Sequence, residues 1–402
     1  MKNVINAMCV ASALLVGAAC NHDNENYCEG APQNDCRALV DGRVDGPVTG
    51  CKAAPDKCTG DKPVCDMTTD TCVPCLGSNV EDMSCPTAAP VCSSQACGVC
   101  TADAQCSSGV CRADGTCSSA ANVISVAPGG AGNICDKNSP CDLTTGVGKI
   151  STSKNVLHLA PGNYPVNAGL TLATDVAVVG RGATLDRSAG SPGPVVSTTA
   201  GVTLEFVTVT GGHSTNGVGI NSTAGTLAMK RTTIYGNTAG GIAASAGVTA
   251  TIVNNIIVRN GNPSNAPFGG VSLNAVNAAT IFDFNTVADN DAGGAGLGGG
   301  VACVGTLVSV RNSIVSNNKM NGMSTGATTQ LFNCPATTSA VLTNSSTLKF
   351  KNDTIDPYDY HLTTGSVAID TATTTSTVDN DVDGDTRPQG AGKDQGADEF
   401  KQ

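Results

Sequence analysis

The chain has 402 residues, a formal charge of −11 and a pI near 4.7, a balance with nothing to neutralise a phosphate backbone, which excludes nucleic acid as a partner. Hydrophobic residues reach 40%, yet aromatics are only 3%, Trp is absent and glycine accounts for 48 residues, so a core must be built from small and β-branched side chains, which favours strands over helices. Twenty cysteines are too many for a reducing compartment.

The N-terminus, MKNVINAMCVASALLVGAAC, has a lysine, an apolar stretch of about a dozen residues, too short to span a bilayer, and small residues at its end. It reads as a signal peptide over residues 1–19. The segment LLVGAAC at Leu14 to Cys20 resembles a bacterial lipobox, with Gly17 where leucine is usual; the resemblance implies lipid attachment at Cys20 and membrane association through that anchor. Parity agrees, because losing Cys9 with the signal and lipidating Cys20 leaves an even set of 18 cysteines.

Residues 20–120 then read as anchor, polar linker and a cysteine-rich module. Fourteen cysteines lie between Cys28 and Cys117, and Cys51, Cys58, Cys65 and Cys72 are spaced by seven. Units this small cannot bury a core, so cross-links must replace packing. The C-x-x-C pairs Cys72 with Cys75 and Cys97 with Cys100 could in isolation build a zinc ribbon, but a histidine-free module behind an export signal favours disulfides.

Residues 121–366 change character. In the opening stretch, Cys135 and Cys141 bracket a short loop and HLAPGNY runs from His158 to Tyr164. This stretch resembles the opening of pectin-lyase-like right-handed β-helices, which implies a Cys135–Cys141 bridge and a first full coil at His158. Further on, Val209, Ile234, Ile257, Val287 and Ile314 can be set in one column with spacings of 25, 23, 30 and 27 residues, a solenoid's period. Two residues before this column stand Asn255, Asn285 and Asn312, and three after it Asn237, Asn260, Asn290 and Asn317. With turns about 4.8 Å apart, Asn255, Asn285 and Asn312 are expected to form a hydrogen-bonded structural ladder.

The pairs Gly240-Gly241, Gly269-Gly270 and Gly299-Gly300 are expected to open strands at positive φ, and the polar runs 261–268 and 289–298 to project as loops. FDFN at Phe282 to Asn285 with the following GGV resembles the repeat of chlamydial polymorphic outer-membrane proteins. Cys303 and Cys334, 31 residues apart, are about one coil apart and suit a disulfide between neighbouring turns. The expected fold is all-β: a right-handed parallel β-helix preceded by a small disulfide-rich module.

Residues 367–402 read as an acidic C-terminal cap. Residues 379–399 carry seven acids against two bases. The elements Ala368 to Asp370, Asp383-Gly384, Arg387-Pro388 and Asp394 to Glu399 resemble the closing signature of choice-of-anchor Q proteins, with Gln395 where isoleucine is usual; the resemblance implies a β-helix and an exported setting. Asp379, Asp381, Asp383 and Asp385 alternate before and after Gly384 as in the first half of a calcium loop, so calcium is the one candidate cofactor, while the simpler reading is an acidic, solvated cap whose Arg387 neutralises part of the charge. The twelfth position is Gly390 rather than glutamate.

A lyase on this scaffold needs carboxylates on adjacent coils to hold calcium and a basic residue to take a proton. Between Thr198 and Ser345 the chain offers Glu205, Lys230, Arg231, Arg259, Asp283, Asp289, Asp291, Arg311 and Lys319 and little else ionisable; Arg259 and Asp289 fall on neighbouring coils, an arrangement also expected of a structural ion pair. No residue is assigned a catalytic role. The expected function is an exported lipoprotein of the cell surface or outer membrane, otherwise secreted, whose β-helix serves as a structural, adhesive or polysaccharide-binding scaffold. The alternative is a pectin-lyase-like lyase or hydrolase acting on an acidic polysaccharide.

Overall fold

The computed structural model describes residues 51–401 apart from 53, 54, 56, 57, 295, 324, 325, 336–340, 344, 345 and 374. The signal segment, Cys20 and Cys28 lie outside the described residues. The chain divides into two units, Met1–Pro74 and Cys75–Gln402. In the first, strands Val64–Asp66 and Thr71–Val73 pair antiparallel, and Cys51–Cys65 and Cys58–Cys72 bridge alternate members of the seven-residue series. Asp66 closes the hairpin turn by accepting from the Thr68 amide and the Thr69 hydroxyl.

The second unit is a right-handed parallel β-helix, the hand that parallel crossovers take. Each complete turn supplies three short strands. On the first face Val156–Leu159 leads to Thr226–Lys230, Thr249–Val253 and Ile281–Asp283 through the early halves of Val176–Asp186 and Val202–Thr210. On the second face stand Gly162–Pro165, the later halves of those two long strands, Thr233–Tyr235, Ile256–Val258, Thr286–Ala288, Ser313–Ser316 and Val341–Leu342. The third face stacks seven strands from Leu170–Leu172 to Leu331–Phe332.

The core is a file of aliphatic side chains. Val209 pairs with Ile234, Ile234 with Ile257, Ile257 with Val287, and Val287 with Val315; all five are fully buried. Each such side chain contributes about 1.5–3 kcal/mol by leaving water. At the start, Leu143 and Val147 of the short helix Leu143–Val147, with Ile150, pack against this core. The Asp142 carboxylate caps that helix at the Thr145 amide, 2.9 Å away. Tyr164 donates its hydroxyl to the carbonyls of Ala160 and Val126 at 2.7 and 3.1 Å, which ties the first coil to the strand before it.

Two bends per turn share one construction: a residue at positive φ followed by a ladder residue. The first bend places Phe206, Arg231, Asn254, Phe284 and Asn312 in the left-handed region, and the second Gly211, Gly236, Arg259, Asp289 and Asn317. The first ladder runs Thr232, Asn255, Asn285, Ser313: Asn285 Oδ1 accepts from both the amide and Nδ2 of Asn255 at 3.0 Å, and the Asn285 amide donates to Ser313 Oγ at 3.0 Å. The second runs Asn237, Asn260, Asn290, Asn318 and ends at Gln330 Oε1, with side-chain contacts of 2.9–3.0 Å.

Asn312 is therefore corrected out of the ladder. The register places Val315, not Ile314, in the core file, so the whole turn shifts by one: Ser313 and Asn318 are the ladder residues, while Asn312 and Asn317 occupy the strained positions before them. Asn tolerates the left-handed region better than most residues, so the sequence writes Asn at both kinds of position.

The Gly-Gly pairs also differ from expectation. Of the six glycines only Gly240 has a positive φ. What the rest require is room: a Cβ on Gly241, Gly270 or Gly300 would stand 2.5, 2.8 or 2.2 Å from the carbonyl oxygen of Gly270, Gly300 or Gln330 on the next turn. The runs 261–268 and 289–298 fold back rather than project, since Ala266, Phe268 and Ala292 are buried and Phe268 packs with Val218, Ala239 and Leu297.

Residues 75–117 belong to the same unit as the solenoid. Arg112 pairs with Glu205 at 2.7 Å, Val110 packs against Val123, Val156 and Val179, and Cys75–Cys92, Cys85–Cys97, Cys100–Cys111 and Cys106–Cys117 staple the segment. Every cysteine of the two C-x-x-C pairs is thus in a disulfide. Cys135–Cys141 and Cys303–Cys334 are bridged as well.

Candidate functional site

The outward side of the second face is apolar where a free solenoid would be polar. Ile256, Val258 and Ala288 are buried by Tyr358, Tyr360, Val382 and Ala397, and Ile314 by Leu362, Ala368, Phe400 and neighbours. The acidic C-terminal segment is what covers them. It lies lengthwise along several turns, not over the final coil as an end cap. Polar contacts fix it at successive bends: Asn254 Nδ2 donates to the Asn380 carbonyl at 2.5 Å, Asn312 Oδ1 accepts from Thr373, and the Ala397 amide donates to Thr286 Oγ1 at 3.0 Å.

This cover engages Arg259, Asp283 and Asp289 among the ionisable residues that a lyase could use. Arg259 and Asp289 do stand on neighbouring coils, with the Tyr360 hydroxyl between them, accepting from Arg259 Nε at 3.0 Å and donating to Asp289 Oδ2 at 2.7 Å. Arg259 also lies over the Tyr358 ring, 3.8 Å from its centroid, and donates to the Asp353 carbonyl. Burial, with Asp289 adding to it, drives the Tyr360 phenol upward from its ordinary range. Asp283 is buried and binds Arg311 at 3.3 Å, Asn312 Nδ2 at 2.9 Å and Ser376 Oγ at 3.2 Å. Glu205 is taken by Arg112 and the Ala113 amide. Asp283 and Asp289 belong to one turn, and their oxygens are already bonded to protein groups, so they do not offer a calcium ion carboxylates from adjacent turns.

The alternating acids diverge instead of converging on one ion. Asp379 pairs with Lys393 at 2.9 Å and Asp385 with Lys401 at 2.8 Å. Asp381 is fully buried: its Oδ1 accepts the amides of Asp383, Gly384 and Asp385 at 2.7–3.0 Å, and its Oδ2 that of Glu399 at 3.0 Å. Desolvation raises its pKa to about 6 despite these donors. The stretch that resembles half a calcium loop is a turn wrapped around one of its own carboxylates. Asp383 goes to His361, 3.1 Å away.

The closing motif has a structural centre that its spacing does not announce. The Arg387 guanidinium is wholly buried and donates to the carbonyls of Asp394, Gly396, Ala397 and Asp398 and to Glu399 Oε2 at 3.0 Å. It also stacks 4.5 Å from the centre of Phe284 at the first bend. Asp394 accepts from the amides of Asp370 and Phe400, and desolvation lifts its pKa to about 6. Acids and a base do gather here, but inside the segment rather than in a groove.

Two further groupings were not read from the sequence. Ser125 and His158 are register partners on the first two strands, and His158 Nε2 stands 3.7 Å from Asp103 Oδ2; Ser125 Oγ is buried without a hydrogen bond, so no open nucleophile results. The other is His361, Asp383 and Asp398, whose ligand atoms all lie within 4.8 Å of one another. Separations of 22 and 15 residues leave no short motif to reveal it.

No family model matches the chain, and no curated protein matches it. Among solved structures, the crystal structure of pectate lyase Pel9A aligns at 14% identity over 70% of this chain and 96% of that one, with a TM-score of 0.32. The fold assignment rests on the strand register described above.

Proposed function

We infer that the protein is an exported surface scaffold that binds polysaccharide and does not cleave it. The observation that carries this reading is the Tyr360 hydroxyl between Arg259 and Asp289: the base and carboxylate a lyase would turn toward a uronate are spent in holding the C-terminal segment to the solenoid. Eight disulfides among the described residues accord with an oxidising exterior. For binding, the third face offers Thr171, Ser197 and Asn221 in one register file, a strip of hydroxyl and amide groups suited to sugar hydroxyls. Attachment through a lipid on Cys20 is part of the proposal and follows from the lipobox resemblance.

The test is a glycan array on the full mature chain, with and without calcium, beside an assay for ultraviolet-absorbing unsaturated uronides from acidic polysaccharides. Binding without product release is expected. Release that persists in a purified sample and is lost in Arg259→Ala would replace this reading with the lyase. The anchor is checked separately by metabolic labelling with a fatty-acid analogue, which Cys20→Ser should abolish.

A further inference from the structure

We propose that His361, Asp383 and Asp398 form a binding site for a zinc-type divalent transition-metal ion that clasps the C-terminal segment. The three residues come from separate stretches: His361 from strand Asp359–Leu362, Asp383 from the turn around Asp381, and Asp398 from the terminal loop. One ligand atom of each lies within 4.8 Å of the others, so a small closure of the side chains would let a single ion touch all three at zinc's bonding distance of about 2.0–2.2 Å. The cysteine groupings that share this closeness are consumed in disulfides.

The histidine is oriented as a ligand should be. Asp359 Oδ1 holds Nδ1 at 2.5 Å and also accepts the His361 amide at 3.0 Å, which leaves Nε2 facing the other two aspartates, where an ion would take the place of its proton. A carboxylate behind a ligating imidazole fixes its tautomer and raises its basicity. Nε2 itself is buried and makes no hydrogen bond, although Asp383 Oδ2 is 3.1 Å away: the oxygen is close but off the ring nitrogen's axis, which suits two ligands of one ion better than a donor and its acceptor.

Asp398 completes the set. It is 6% exposed, one oxygen accepts the Leu362 amide at 2.6 Å, and the other remains for the ion. Burial raises its pKa, so an uncompensated carboxylate there is costly. One imidazole nitrogen and two carboxylate oxygens are too few and too mixed for calcium, which takes 6–8 oxygens. They match the N/O ligand sets of zinc with one position left to water.

The experiment uses the full mature chain with its disulfides intact, stripped by chelator and given zinc, cobalt, calcium or magnesium in separate arms. Expected results are one zinc per chain by titration calorimetry, a visible cobalt spectrum of low-coordinate type, and slower proteolysis of the C-terminal segment with zinc. His361→Gln and Asp398→Asn should lose the ion, and Asp359→Asn should weaken it about 10–100-fold. Should either ligand variant misfold, the wild-type cobalt spectrum and Asp359→Asn still decide. Zinc uptake no greater than in His361→Gln, or a His361 ring that remains doubly protonated by NMR in the presence of zinc, overturns the proposal and leaves an imidazolium bridging two acids.

Discussion

Tyr360 donates its hydroxyl proton to Asp289 across 71 residues of sequence, at 2.7 Å. That contact joins the second bend of one turn to the segment that covers it. Tyr360→Phe strands Arg259 Nε and one Asp289 oxygen, and should lower stability by about 1–3 kcal/mol. Denaturant unfolding of the two proteins measures the difference; no change would mean that water replaces the hydroxyl.

The same phenol should be reluctant to ionise. Burial raises the pKa of both Tyr164 and Tyr360, so the folded state keeps protons that the unfolded chain releases near pH ~10. Stability is therefore expected to fall as pH climbs past that value. Ultraviolet titration should show these two of the five tyrosines ionising only when circular dichroism reports unfolding.

Asp394 works in the same direction on the acid side. Its folded pKa near 6 lies above the ordinary carboxylate value, so between about pH 6 and 4 the folded state binds a proton that the unfolded state does not, and this group's contribution to stability rises as pH falls through that window. A carbon-13 carboxyl titration should give it a midpoint near 6. A midpoint below 4 would mean that its amide donors outweigh its burial.

Along the first ladder the substitutions should rank by position. Asn285→Ala leaves the Asn255 amide and the carbonyls of Ile252 and Asp283 short of a partner, at about 1–3 kcal/mol for each buried group left unpaired. Ser313→Asn extends the ladder and should be tolerated. If the two variants unfold together, the ladder is not what holds these bends.

Arg387→Met should be the most damaging single change in the C-terminal segment. It leaves Glu399 buried without its cation and frees four carbonyls, and removing one partner of a buried pair typically costs about 3–5 kcal/mol. Limited proteolysis should then cut after residue 347 while the coils survive.

Much of the solenoid was legible because its period acts on each turn alike. Val209, Ile234, Ile257 and Val287 line up by spacing because each must point inward. The file slipped at Ile314 because RNSIVSNNK has asparagine at Asn312 and Asn317, beside the true ladder positions, and two physical demands there favour the same residue. The glycine pairs misled similarly, since a close backbone approach and a positive φ both call for a missing Cβ.

The C-terminal segment was less legible. DNDVDGD advertises carboxylates but not their acceptor roles, which depend on Asp381 being enclosed. Nothing local says that Ile256 and Ile314, outward by alternation, will be covered by residues near 360 and 397. His361, Asp383 and Asp398 meet only after that docking.

Stacked repeats usually fray rung by rung from a free end, since each touches only its neighbours. A splint fastened at Asn254, Phe284, Asp289 and Asn312 denies that route, because no intermediate rung can detach while both its flanking fastenings hold. Pulled or heated, the middle of the solenoid should yield as a block, across one large barrier instead of many small ones.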